Sequence, residues 1–225
     1  MSAAVPGRSC SARSSGVVLV ASARAVDGAG LRLPVAAALV LVAVTSTVTD
    51  SYGVQVLGAV GVLLAFTLQA AVDDPERSIL AAAPYSLGSR SLHRVVASAT
   101  LAVPVWLVAA GTVEWRTPSA PVAALGLQAV VIWCLAVAIG AGVWRASASP
   151  SPSYVASPVL LGLVLVAHVL PRRWQIFDAQ AWGPPWIAAQ LRWCGLLLLA
   201  IGLVILLLTE PMVALTKRPQ ASSAP

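Results

Sequence analysis

From about residue 33 the chain alternates long apolar blocks with short polar ones. Six blocks stand out: Leu33–Thr49, Val54–Val72, Val95–Val113, Val122–Trp144, Val155–Leu170 and Leu191–Leu208. A bilayer core takes about 20 apolar residues as a helix, and the first and fifth blocks are somewhat short of that. Inside a bilayer each block must be helical, because a helix satisfies its own backbone donors and acceptors. Small residues recur within the blocks: Gly58 and Gly61, Ala136 and Gly140, Gly195 and Gly202. Small faces let helices approach closely in lipid, although background glycine and alanine content gives the same pattern. No internal repeat is visible.

The pattern predicts an all-α, polytopic membrane protein with six transmembrane helices. Residues 1–31 read as a flexible cytoplasmic arm, 32–208 as the six-span transmembrane domain and 209–225 as a cytoplasmic tail. The run GVVLVA, preceded by Arg8 and Arg13, also fits a marginal signal peptide. Composition agrees with the membrane class. The chain is 59% hydrophobic and 10% charged, whereas a soluble domain carries about 25% charged residues. Thirteen of the 14 basic residues are arginine. With residue 1 inside, ten Lys/Arg fall on the cytoplasmic side and three outside. The positive-inside rule then predicts both termini in the cytoplasm. The basic excess therefore needs no nucleic acid, and no basic patch interleaved with aromatics offers a stacking surface.

One polar island interrupts this pattern, AAVDDPERSILAAAPYSLGSRSLHRVV, residues 70–96. Asp74 is a good N-cap and Pro75 suits the first helical position. Asp73, Asp74 and Glu76 put negative charge at the positive end of the helix dipole. Pro84 disfavours helix at Ala83. The spacing predicts a helix over 74–83, about 15 Å long, with Ile79, Leu80 and Ala83 on one face. Gly88 is a hinge candidate where the chain returns to the membrane. So short a helix must pack on something. It fits a helix lying in the lipid headgroups, or one docking into a groove on a partner with its acids and Arg77 as a polar rim.

In this segment the sequence resembles the permease subunits of ABC-type exporters, the type-two six-span superfamily. The likeness lies in an acid-rich start, a Leu-x-x-x-Pro step and a basic approach to the next span. Here these are Asp73, Asp74, Glu76, Arg77, Leu80, Pro84, Arg90 and Arg94. The family's usual threonine before the leucine is absent, with Ser78 nearby. The resemblance implies that this segment is a cytoplasmic coupling helix contacting a separate ABC ATPase subunit. It also implies a homodimer, or a heterodimer with a second permease, in a bacterial inner membrane.

A second polar stretch, PRRWQIFDAQAWGPPWIAAQLRW, separates the last two blocks and holds four of the eight tryptophans. Tryptophan favours the membrane interface. Gly183-Pro184-Pro185 is expected to break the stretch into two short interfacial or re-entrant pieces, with Trp174, Trp182 and Trp186 as outer interfacial residues. The resemblance implies re-entrant helices at this place. An aromatic belt on an ordinary outer loop is the other reading.

Catalytic signatures are absent. The chain has no phosphate-binding Gly-rich loop, no HExxH and no GxSxG. Cys10, Cys134 and Cys194 lack disulfide or metal spacing, and no cofactor, metal or catalytic residue is expected. His168 lies near the end of the fifth block, close enough to the interface to meet water. Gln69 and Gln128 lie within blocks, with no acid or base expected near mid-bilayer, where an ion-coupled carrier normally needs one. The expectation is an ATP-driven exporter's permease subunit powered by a partner. The alternatives are a non-transport membrane protein acting in assembly, immunity or helix contacts, and an intramembrane enzyme.

Overall fold

A computed structural model describes residues 29–45, 53–73, 87–146, 153–171, 176–177 and 184–209. Among these the chain forms six α-helices and no strand: α1 (Ala29–Thr45), α2 (Gly53–Ala70), α3 (Leu87–Arg116), α4 (Val122–Ala146), α5 (Ser153–Val169) and α6 (Pro184–Leu208). Four of them, α2, α3, α4 and α6, are long and apolar enough to cross a membrane. α1 and α5 have 17 residues each, about 25 Å of helix. This is the helical architecture of a membrane protein.

Two helices depart from the expected blocks. α3 starts at Leu87, well before Val95, so the polar approach is helical and Gly88 lies inside the helix. Polar residues can extend a helix here because Ser91 and Arg94 turn inward and are buried. α6 starts at Pro184 and runs unbroken to Leu208. The prolines of the Gly-Pro-Pro triplet therefore open a helix and do not split a loop. Proline's missing N–H has no partner in a first turn, so it costs nothing there. The stretch 184–190 belongs to α6. Its preceding residues are described only at Pro171, Ile176 and Phe177.

Successive helices run in alternating directions. At one end, where α2 stops, the Arg94 guanidinium of α3 donates to the Asp73 backbone carbonyl, and the start of α5 bonds the Asp73 carboxyl. The ends of α4 and α6 meet at the same side, where Arg145 Nη2 donates to the Thr209 carbonyl at 2.7 Å. At the other end Gly53 of α2 lies against Val113 of α3, and a tight turn through Thr117 and Ala120 leads into α4. There too Trp193 Nε1 of α6 donates to the Ile176 carbonyl at 3.0 Å.

α2 and α4 form the centre. They run parallel, with Gly61 beside Ala129 and Gly140 beside Gln69 and Val72. Trp133 Nε1 donates to the Gly61 carbonyl at 2.8 Å. Gln69 Nε2 reaches the Ala136 carbonyl at 3.4 Å. Both bonds join the side chain of one helix to the backbone of the other. Half of α4's apolar window is buried against other helices but only 11% of α6's, so α4 is central and α6 peripheral. Leu191, Leu198, Leu199, Ile205 and Leu206 of α6 face outward, as lipid-facing residues do.

The small residues sort into two groups. A Cβ on Gly126 would sit 3.1 Å from the Trp106 ring, and one on Gly140 would sit 3.4 Å from both Gln69 Cγ and Val72 Cγ2. Gly58, Gly195 and Gly202 meet nothing within 4 Å, so they contribute no helix contact in this chain. Gly140→Leu should therefore destabilise the bundle by about 1–3 kcal/mol through overpacking. Gly202→Leu should stay within about 0.5 kcal/mol. Thermal unfolding of the two variants in detergent checks this contrast.

Candidate functional site

The polar groups buried at the α2 end form the most developed site among the described residues. α2 presents Gln69 in its last turn, and the tight turn that follows it presents Asp73, four residues on. α5 presents Ser153 and Ser157 with the same spacing. Because the helices are antiparallel, the two pairs meet in order. Ser157 Oγ donates to Gln69 Oε1 at 3.0 Å. The Asp73 carboxyl accepts both the Ser153 backbone N–H, at 3.0 Å, and the Ser153 hydroxyl.

Each element contributes for a local reason. Ser153 opens α5, so its N–H has no acceptor within the helix. A carboxylate from another helix supplies one and sits at the positive end of the α5 dipole. Gln69 is fully buried. Its amide is satisfied from two sides, donating to Ala136 of α4 and accepting from Ser157 of α5. A buried amide left unpaired would be costly. Gly140 makes room for it: a Cβ there would already touch Gln69 Cγ at 3.4 Å, so a longer side chain would press on it. Asp73 closes α2 in a short turn, its N–H bonded to the Ala70 carbonyl.

Asp73 is half-buried, and burial raises its carboxyl above the usual 3.8, against the opposing pull of the Ser153 bonds and the nearby Arg94 charge. Higher on α3, Ser98 is fully buried and its hydroxyl has no hydrogen-bond partner among the described residues. Ser91, Arg94 and Ser98 thus make a polar stripe on the inner face of α3.

Of the residues proposed from sequence for ATPase docking, Asp73 is described, and its carboxyl is engaged by α5 within the bundle. Asp74, Glu76, Arg77, Leu80 and Pro84 lie outside the described residues, as do Trp174 and Trp182. Trp186 is buried in the first turn of α6. His168 stacks on Phe177 with ring centroids 4.1 Å apart, and Phe177 meets Trp193 edge-on at 5.1 Å. Among the described residues no group of His, Cys, Asp or Glu could hold a metal ion.

Ser153 carried no signal as one of several serines before the fifth block, nor did Ser157 as a serine just inside it. The only available clue was their spacing, which matches that of Gln69 and Asp73.

The raised carboxyl has a consequence for stability. An acid whose folded value lies above its unfolded value binds its proton more tightly when folded. Its contribution to stability is greatest below 3.8 and falls as pH climbs from there through the raised value. The stability of the native chain relative to Asp73→Asn should therefore decrease from pH 3.5 to pH 7 and not increase. Paired detergent-unfolding curves at the two pH values measure it.

The chain matches no protein-family model, no curated protein and no solved structure, so a functional reading rests on its own residues.

Proposed function

We propose that this chain is the membrane-spanning permease subunit of an ATP-driven exporter, working with a separate cytoplasmic ABC ATPase. In this reading all six helices span the membrane, α1 and α5 with some local thinning of the bilayer. The ten-to-three distribution of Lys/Arg puts the Asp73 end and both termini in the cytoplasm. The membrane is then a bacterial inner membrane, and two permeases pair to enclose a pathway.

The observation that supports the proposal is the place of Asp73, the first residue of the acid-rich run, in the bundle. Residues 74–83 follow directly on Asp73, whose carboxyl bonds α5 and whose carbonyl takes the Arg94 guanidinium of α3. A displacement of that segment by a partner would act on α2, α3 and α5 together. Transport powered in this way also suits the absence of an Asp, Glu, Lys or His among the buried residues described, where Arg94 is the one charged side chain. The spans are almost wholly apolar in sequence, which favours an amphipathic or lipid-like cargo over a sugar or an ion.

The docking helix is testable. Leu80 lies centrally on its apolar stripe, and burying a leucine is worth about 1.5–3 kcal/mol. Leu80→Asp should therefore weaken ATPase retention by about tenfold or more in co-purification from native membranes, at equal permease level. Membrane insertion should be unchanged. Arg77→Lys should weaken it less, through loss of a bidentate carboxylate pair. Full ATPase retention by Leu80→Asp would instead support a helix lying on the lipid surface.

Sidedness is checked separately. Reporter fusions at residue 225 and near Ser119 should report opposite sides, with residue 225 inside. Reporters on the same side would overturn the six-span topology.

A further inference from the structure

We infer that the first turn of α5 is a hinged latch, which closes on α2 through the pairs Gln69–Ser157 and Asp73–Ser153 and opens by pivoting at Pro158. The inference concerns the movement of one helix and stands whether or not the chain belongs to a transporter.

Three observations meet at this place. The first is the matched pairing itself. Two serines at the start of α5 engage one acceptor on the last turn of α2 and one just past its end, 80 to 88 residues away in sequence. Hydrogen bonds between side chains of membrane helices are weak, each worth on average about a threefold preference. A closure built from such bonds is reversible, whereas a tightly interdigitated apolar contact is not.

The second is how little else holds α5. Only Ala156 and Leu160 of this helix are buried, while Tyr154, Val155, Val159, Leu161 and Leu163 are exposed. The packing that fixes α2 and α4 is missing here. Polar pairs therefore supply a substantial share of its attachment to α2.

The third is Pro158, inside the helix and directly after Ser157. Proline has no N–H, so the Tyr154 carbonyl loses its bond within the helix, and the ring presses on that carbonyl. Helices bend at such points. Here the break falls between the latched turn and the rest of α5, so the turn can swing while the remainder stays in place. The far end has its own tie, the stack of His168 on Phe177. Opening would bare the buried Gln69 amide and the groove at Gly140, admitting water between α2 and α4 from this end.

The test is a distance measurement across the latch. Spin labels are placed at Tyr154→Cys on α5 and Val96→Cys on α3, both exposed positions. Cys10, Cys134 and Cys194 are replaced by alanine, and the full chain is reconstituted in phosphatidylcholine vesicles. The native latch should give a dominant short distance. Ser153→Ala with Ser157→Ala removes two hydroxyl bonds and should raise the ratio of long to short distances about tenfold. Ser157→Ala alone should raise it about threefold, which covers the case in which the double variant does not fold. Adding Pro158→Ala to Ser157→Ala should reduce the long population again, because the hinge is lost. One unchanged distance in Ser157→Ala, or a long population that survives Pro158→Ala undiminished, overturns the inference.

Discussion

A polar group inside an apolar bundle must find its partner within the protein, and this constraint organises the whole structure. In hydrocarbon an unpaired donor or acceptor costs several kcal/mol. The response is concentrated on α2. Its Gly61 carbonyl takes the Trp133 indole, and its Gln69 is bonded to α4 and α5. At its end Asp73 draws in α3 through its carbonyl and α5 through its carboxyl. Three helices, α3, α4 and α5, are therefore oriented by polar contacts with one. Apolar packing fills the space between them but does not by itself choose a register.

The two ends of the bundle are built differently. The Asp73 end relies on hydrogen bonds between side chains and backbone, with small residues such as Gly140 making the room. The opposite end relies on aromatic contact, with Phe177 between His168 and Trp193 and the Trp193 indole bonded to the Ile176 carbonyl. The first kind of contact loosens readily when its charge or geometry changes. Ring packing buries large apolar area and holds its shape. On the proposed reading, that asymmetry would let one end respond to a partner while the other stays closed.

The acid-rich segment gains meaning from this arrangement. Asp73 belongs to the same polar run as Asp74 and Glu76 in the sequence, yet its carboxyl bonds a helix 80 residues away. The run thus begins inside the bundle, in the turn that follows α2. On the proposed reading, a force applied beyond Asp73 would reach α5 through the two bonds its carboxyl makes with Ser153. This is the physical content of reading the segment as a coupling element.

The sequence by itself determined the helical class. Each of the six apolar blocks became a helix, because hydrophobic length and the need to satisfy the backbone are local properties. It also marked the polar island after α2, since charge in so apolar a chain is conspicuous. The starts of α3 and α6 were not legible. Ser91 and Arg94 extend a helix only because the Asp73 carbonyl receives the guanidinium, and Gly-Pro-Pro reads equally as a break or as a first turn. Nor could the small residues be sorted, as Gly140 and Gly202 look alike until a neighbour is present at one and absent at the other. The pairing of Gln69 and Asp73 with Ser157 and Ser153 belonged wholly to the tertiary structure. A serine in an apolar block has no fixed role until folding decides which acceptor lies across from it.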